Sequence, residues 1–364
     1  MKINPLKKLT TFGQSIWLDY IKRDLITSDK LKQLITDDDL RGITSNPSIF
    51  EKAIAESDDY ADAIAAMMKE GKDVNTVYET LTQRDVRDAA DEFRQLYNRM
   101  EGKDGYVSLE VNPHLAHDTE GTIIEARRLW KALDRPNVFI KVPATLEGLP
   151  AIKQLISEGI NVNVTLLFGL DRYRAVAEAY QTGLAARITQ KQPPQPVASV
   201  ASFFLSRIDT LIDPMLEKII TQGGDKALIA KKIHGQVAIA SAKVAYEIYQ
   251  KAAKETQAQR LLWASTSTKN PAYSDVKYVE ALIGPNTVNT LPVETLDAYR
   301  DHGDPKARLQ DDADKAHWVF QHLPELGIDI NKITQQLEDE GVAKFIQSFD
   351  QLITTLEKKL KDKK

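Results

Sequence analysis

Short apolar runs with strand character recur along the chain, separated by longer, charge-studded segments. The runs are Ser15–Asp19, Gly42–Asn46, Tyr106–Val111, Val138–Val142, Val162–Phe168, Val197–Leu205, Arg260–Thr266 and Thr287–Leu291. Between them, Asp118–Leu133, Glu147–Glu158 and Asp171–Arg187 place apolar residues at helical spacing. Alternation of strand and helix predicts parallel strands joined by right-handed crossovers. Eight such strands suit a closed (β/α)8 TIM barrel better than an open doubly wound sheet.

The spacing of the runs is uneven. The stretch between the second and third strands, and Asp209–Gln259 between the sixth and seventh, are long enough to carry extra helices. Val293–Lys364 is helical in pattern, and its charged end, Glu357–Lys364, reads as a solvated helix terminus. We expect these C-terminal helices to pack on the barrel. The Pro-rich stretch Gln190–Pro196 precedes a strand and reads as a connecting loop, and no solenoid repeat is present. The expectation is one barrel domain over residues 1–364.

Composition narrows the chemistry. The 364 residues carry 48 Lys+Arg against 52 Asp+Glu, a formal net charge of −4, which argues against a nucleic-acid binder working through a global basic field. There is no Cys, which removes disulfides, thiol nucleophiles and Cys-bearing metal sites. No apolar run approaches the roughly 18 residues of a membrane span, and the first residues lack a secretory signal. The expectation is a cytoplasmic protein without a membrane partner; a homo-oligomer stays open.

Side-chain parity on the strands points to candidate functional residues, because successive residues face opposite ways. If Val107, Leu109 and Val111 meet the helices, Ser108 and Glu110 point into the barrel. By the same rule Val138, Ile140 and Val142 turn Lys141 inward beside Phe139. Val162, Val164 and Leu166 turn in Asn163 and Thr165, Ile16 and Leu18 turn in Asp19, and Ile43 turns in Thr44 and Asn46. Five strands thus aim polar groups at the C-terminal mouth, where barrel enzymes build their sites.

Plainer readings compete. A lone strand Lys usually reaches solvent at an edge, yet Lys141 has apolar neighbours on both faces. A Glu ending a strand is more often a surface charge or a helix-cap neighbour. Asn163-Val164-Thr165 spells a glycosylation sequon, which fails without secretion. His114-x-x-His117 lacks a third ligand and reads as a loop before a helix capped by Asp118; His317 and His322 read as surface residues. Met67-Met68 reads as core or helix face. No GxGxxG after a strand, phosphate-binding loop, HExxH or GxSxG is present, so no metal and no cofactor is called for. What remains is an inward Lys with carboxylates near it. Burial disfavours an ammonium and leaves free amine to attack a carbonyl, while carboxylates move the protons that imine chemistry requires.

Gly42–Ser48 (GITSNPS), Ser108–Val111 (SLEV), Ile140–Thr145 (IKVPAT) and Asn163–Phe168 (NVTLLF) together resemble the signature strands of the transaldolase family. The likeness covers nearly the whole chain in order and is closest to the longer bacterial branch. It implies transfer of a dihydroxyacetone unit between sugar phosphates in the non-oxidative pentose phosphate pathway. Sedoheptulose 7-phosphate and glyceraldehyde 3-phosphate would give erythrose 4-phosphate and fructose 6-phosphate. By position, Lys141 is similar to the Schiff-base lysine and Asp19 to the group that takes the C4 hydroxyl proton. Glu110, with Thr165 holding a water, is similar to the relay for carbinolamine dehydration. Asn46, Thr44 and Asn163 match the substrate-binding strand ends, and Ser202 matches a residue near the Schiff base. Arg207 matches a phosphate-binding arginine. The seventh strand departs from the short-chain pattern, with Ala264-Ser265-Thr266-Ser267-Thr268-Lys269, so Ser265 and Lys269 are the phosphate candidates there.

Two other readings stay in view. One is a lyase, like fructose 6-phosphate aldolase, that releases free dihydroxyacetone. The other is a non-catalytic sugar-phosphate-binding barrel, which would gain nothing from desolvating Lys, Glu and Asp at one mouth. The segment after residue 293 is too short for the isomerase domain that some relatives carry.

Overall fold

In the computed structural model, which describes residues 4–190, 197–255 and 259–361, eight parallel strands close into a barrel in sequence order. They are β1 Gln14–Asp19, β2 Leu40–Thr44, β3 Tyr106–Glu110 and β4 Val138–Pro143, followed by β5 Val162–Leu167, β6 Ser199–Phe204, β7 Arg260–Ala264 and β8 Thr287–Leu291. β8 pairs back to β1, with Trp17 opposite Thr290. The expected (β/α)8 barrel is the architecture found.

The outward faces of the strands explain why the barrel holds. Val138, Ile140, Val142, Val162 and Val164 are fully buried against the helical ring. The helix Gly148–Glu158 returns Ala151, Ile152, Leu155 and Ile156 on one stripe, all fully buried. It ends where Gly159 takes φ +88°, letting the Ile160 amide donate to the Leu155 carbonyl.

The strands differ from expectation mainly at their ends. β2 starts at Leu40 and stops at Thr44, because Asn46 leaves the sheet to cap the helix Pro47–Ala55. Val111, Phe168, Leu205 and Ser265–Thr266 likewise lie just past their strands. Both long inserts are helical: Pro47–Ala55, Ala61–Lys69, Val74–Glu92 and Arg94–Arg99 in the first, Ser206–Gln222, Gly224–Ile233 and Val237–Glu255 in the second. After β8 come Val293–His302, Ala313–His322 and the long C-terminal helix Ile330–Lys361. The loop expected at Gln190–Pro196 lies, past Gln190, outside the described residues. Among the described residues no helix is long and apolar enough to cross a membrane.

The lower half of the lumen is filled by rings. Phe139 stacks on Tyr106 at 4.3 Å and on Trp17 at 6.0 Å between centroids. Beneath them Asp104, nearly fully buried, accepts from Ser15 Oγ at 2.8 Å and draws in Arg41 and Arg260 at 3.4 and 3.3 Å. These groups seal the N-terminal end of the barrel. Gly42 is part of the seal, since a Cβ there would lie 2.6 Å from the Trp17 ring and 2.8 Å from the Tyr106 carbonyl oxygen. The carbonyl cannot step aside without breaking the sheet. Gly42→Ala is therefore expected to destabilise the fold by about 1–3 kcal/mol, read as a lower urea midpoint at unchanged m-value.

Candidate active site

Above the aromatic floor the inward residues turn polar, and three adjacent strands set them in a row. Lys141 pairs in register with Glu110 on β3 and with Asn163 on β5, and Pro143 with Thr165. Lys141 and Glu110 are 3% and 7% exposed, so both charges are held out of water. The Lys141 ammonium donates to the Ser45 carbonyl at 2.9 Å and lies 3.4 Å from Glu110 Oε2. That second contact is an ion pair without hydrogen-bond alignment, for neither Glu110 oxygen has a hydrogen-bond partner. Thr165 Oγ1 is also buried and unpartnered. Orphaned polar atoms this deep call for a water or a substrate group between them.

Desolvation controls both carboxylates. Burial pushes Glu110 up to about 7, against the attraction of Lys141, with Asp19 adding a smaller push upward. Burial also raises Asp19 above the usual carboxylate range; Lys141 and a hydrogen bond from Thr44 oppose it. Thr44 Oγ1 donates to Asp19 Oδ1 at 2.6 Å and meets Thr290 Oγ1 at 2.7 Å. Thr44 has one proton to give, so Thr290 donates to Thr44 whenever Thr44 serves an ionised Asp19.

On the other side of Lys141, Ser202 Oγ donates to Asn163 Oδ1 at 2.7 Å and Asn163 Nδ2 donates to Ser108 Oγ at 3.1 Å. This fixes the Asn163 amide from both ends. Lys141, Glu110, Asp19, Thr44, Asn163 and Thr165 therefore share one lumen, as parity predicts, and Ser202, which the resemblance alone suggested, joins them through Asn163.

Asn46 behaves differently. Its Oδ1 accepts from the Ile49 amide at 3.1 Å as a helix cap, which leaves its Nδ2 as the group free to meet a ligand. Ser265, at φ +54°, directly follows β7, and its Oγ meets Ser206 Oγ at 3.0 Å, tying that strand end to the helix whose first turn bears Arg207. Arg207 is half-buried over Phe204, 5.9 Å from the ring centre. Lys269 is exposed, bonded to Ser267 Oγ at 2.7 Å, and its charge is felt by Asp19. Among the described residues, none of these three shares a hydrogen bond with the lumen cluster.

The histidines take up other duties. His114 pairs with Asp350 at 2.7 Å, His117 with Glu147 at 3.1 Å, and Asp118 caps its helix through the Gly121 amide.

The profile of the Transaldolase/Fructose-6-phosphate aldolase family matches residues 16–356. The chain belongs to that family. A protein named Transaldolase from Trichodesmium erythraeum is 48% identical over 375 aligned positions, covering 99% of both chains. One named Transaldolase 2 from a Nostoc species is 46% identical, again over 99% of both. A Transaldolase from Thiobacillus denitrificans is 44% identical over 97% of this chain and 100% of its own.

Within this family member, sequence reasoning passed over two groups that touch the site. Ser45 serves through its carbonyl, and backbone roles leave no trace in residue type. Thr290 faces the lumen through its register opposite the inward Trp17, a pairing of residues far apart in sequence that strand alternation alone does not reveal. The lysine is the main force opposing the desolvation of Glu110. Lys141→Met is expected to move the Glu110 titration above 7, measured by carbon-13 NMR of the labelled carboxyl. A titration that stays put or falls would show that the pair is not coupled.

Proposed function

We propose that this chain is a transaldolase acting through an imine on Lys141. The observation that carries the reading is the buried Lys141–Glu110 pair with Asp19 facing the same amine. In this reading the Lys141 ammonium passes a proton to Glu110, and the free amine attacks the ketose C2 carbonyl. Glu110, poised near neutrality, protonates the leaving hydroxyl of the carbinolamine, and water departs as the imine forms. Asp19 then takes the C4 hydroxyl proton as the C3–C4 bond breaks. The aldehyde leaves, and the electron pair passes to C3 and into the imine, giving an enamine. Attack of the enamine on an acceptor aldehyde runs the steps in reverse. Asn163 and the free Nδ2 of Asn46 hold the dihydroxyacetone hydroxyls, and Arg207, Ser265 and Lys269 hold the distal phosphate. The substrates are sugar phosphates of the pentose phosphate pathway, and the reading carries with it a cytoplasmic enzyme.

With fructose 6-phosphate and borohydride, the adduct is expected on Lys141. Lys141→Arg is expected to lose both trapping and turnover, because a guanidinium stays protonated. Fructose 6-phosphate alone is expected to give about one equivalent of glyceraldehyde 3-phosphate and then stall until erythrose 4-phosphate is added. Sustained release of dihydroxyacetone without acceptor would make it a lyase instead. An adduct on another lysine would remove the proposed centre.

The Asp19 role has its own test. Thr44 donates to the carboxylate form, so removing that bond favours the protonated acid and raises the Asp19 pKa. Thr44→Val is expected to move the acid limb of kcat toward higher pH. A limb that shifts toward lower pH would assign the titration to another group.

A further inference from the structure

The C-terminal helix Ile330–Lys361 packs both against β5 and against the helix Pro47–Ala55 that follows β2, so it links two separate strand ends. On one side the bare backbone of Gly341 lies against Leu166, where a Cβ would come within 2.9 Å of the Leu166 side chain. Leu166 directly follows the lumen residue Thr165 and holds φ +56°. On the other side Ser348 Oγ meets Ser48 Oγ at 2.7 Å, two residues past Asn46. Helical spacing puts 341, 344, 345 and 348 on one stripe. Phe345 is buried, while Lys344 is exposed at the edge of that stripe, between the two contacts.

Lys344 does not sit alone. Its helix packs on Ser206–Gln222, whose first turn bears Arg207, and on Pro47–Ala55, which bears Lys52; its ammonium is pushed down by partial burial and by the charges of Arg207, Lys269 and Lys52. Those cations come from the helix after β6, the segment after β7 and the helix after β2. Among the described residues none of the four is in an ion pair with a carboxylate, and the nearby Glu340 acts on Arg207 without pairing to it. Arg172, by contrast, reaches Glu338 on the same C-terminal helix at 3.2 Å. Converging like charges repel unless an anion sits among them.

We propose that Lys344 determines specificity at the phosphate end of the substrate, closing with Arg207 and Lys269 a cradle to which the C-terminal helix contributes one side. The proposal rests on the sugar-phosphate reading. It adds a fourth residue to Arg207, Ser265 and Lys269, from a helix distant in sequence from the strand ends.

The test compares Lys344→Ala with Lys332→Ala, an exposed change on the same helix near its start. Lys344→Ala is expected to raise KM for fructose 6-phosphate about 10-fold or more with kcat little changed, the loss of one charge-assisted bond. Turnover of unphosphorylated fructose is expected to stay the same, and Lys332→Ala to match the parent with both donors. Calorimetry with inorganic phosphate reads the cradle without turnover, and Lys344→Ala is expected to weaken that binding by a similar factor. Equal loss with both donors, or unchanged phosphate binding, would overturn the proposal. If the parent binds phosphate through Lys344 but forms no borohydride adduct on Lys141, the cradle stands and the imine reading fails.

Discussion

An amine and a carboxyl taken out of water side by side are what the rest of this molecule is arranged to permit. Burying either charge alone is prohibitive, and breaking such a pair typically leaves about 3–5 kcal/mol of uncompensated desolvation. Lys141 and Glu110 answer each other across one register position of β3 and β4, and the Ser45 carbonyl takes one ammonium proton. The match is deliberately incomplete in chemical effect: Glu110 keeps both oxygens unbonded and titrates near neutrality. A fully satisfied pair would be stable and idle. This one is held together by proximity and still has lone pairs to use.

The barrel makes that arrangement affordable by dividing its lumen into two storeys. Trp17, Tyr106 and Phe139 occupy the lower one and exclude water from beneath Lys141. The polar side chains occupy the upper one, several of them tied to a neighbour from another strand while Glu110 and Thr165 keep unpartnered oxygens. Ser202 to Asn163 to Ser108 and Thr290 to Thr44 to Asp19 are two short chains of this kind, one on each side of the amine. Side chains fixed at both ends lose little further freedom when a ligand arrives.

What the amino-acid order reveals follows from how far each feature depends on distant partners. Lys141, Glu110, Asp19, Asn163 and Thr165 are legible because a strand alternates every second residue and their neighbours are apolar. The strand ends are less legible. Asn46 reads as an inward strand residue, yet Pro47 starts a helix and the Asn46 side-chain Oδ1 accepts from the Ile49 amide as its cap. The left-handed turns at Leu166 and Ser265 have no signal at all, since neither is a glycine or asparagine. The path of the C-terminal helix rests on contacts such as Ser48 with Ser348, between residues 300 apart. Local patterning cannot encode those; only assembled packing does.

The plug of Asp104, Arg41 and Arg260 beneath the rings has a consequence for traffic. With the lower end sealed, everything that reaches Lys141 enters and leaves by the upper opening. In the proposed transfer, the first aldehyde must vacate that passage before the second can use it. The order of events is then set by topology as much as by affinity. The covalent intermediate waits at the closed end of a corridor, where its next partner and any stray water must come from the same direction.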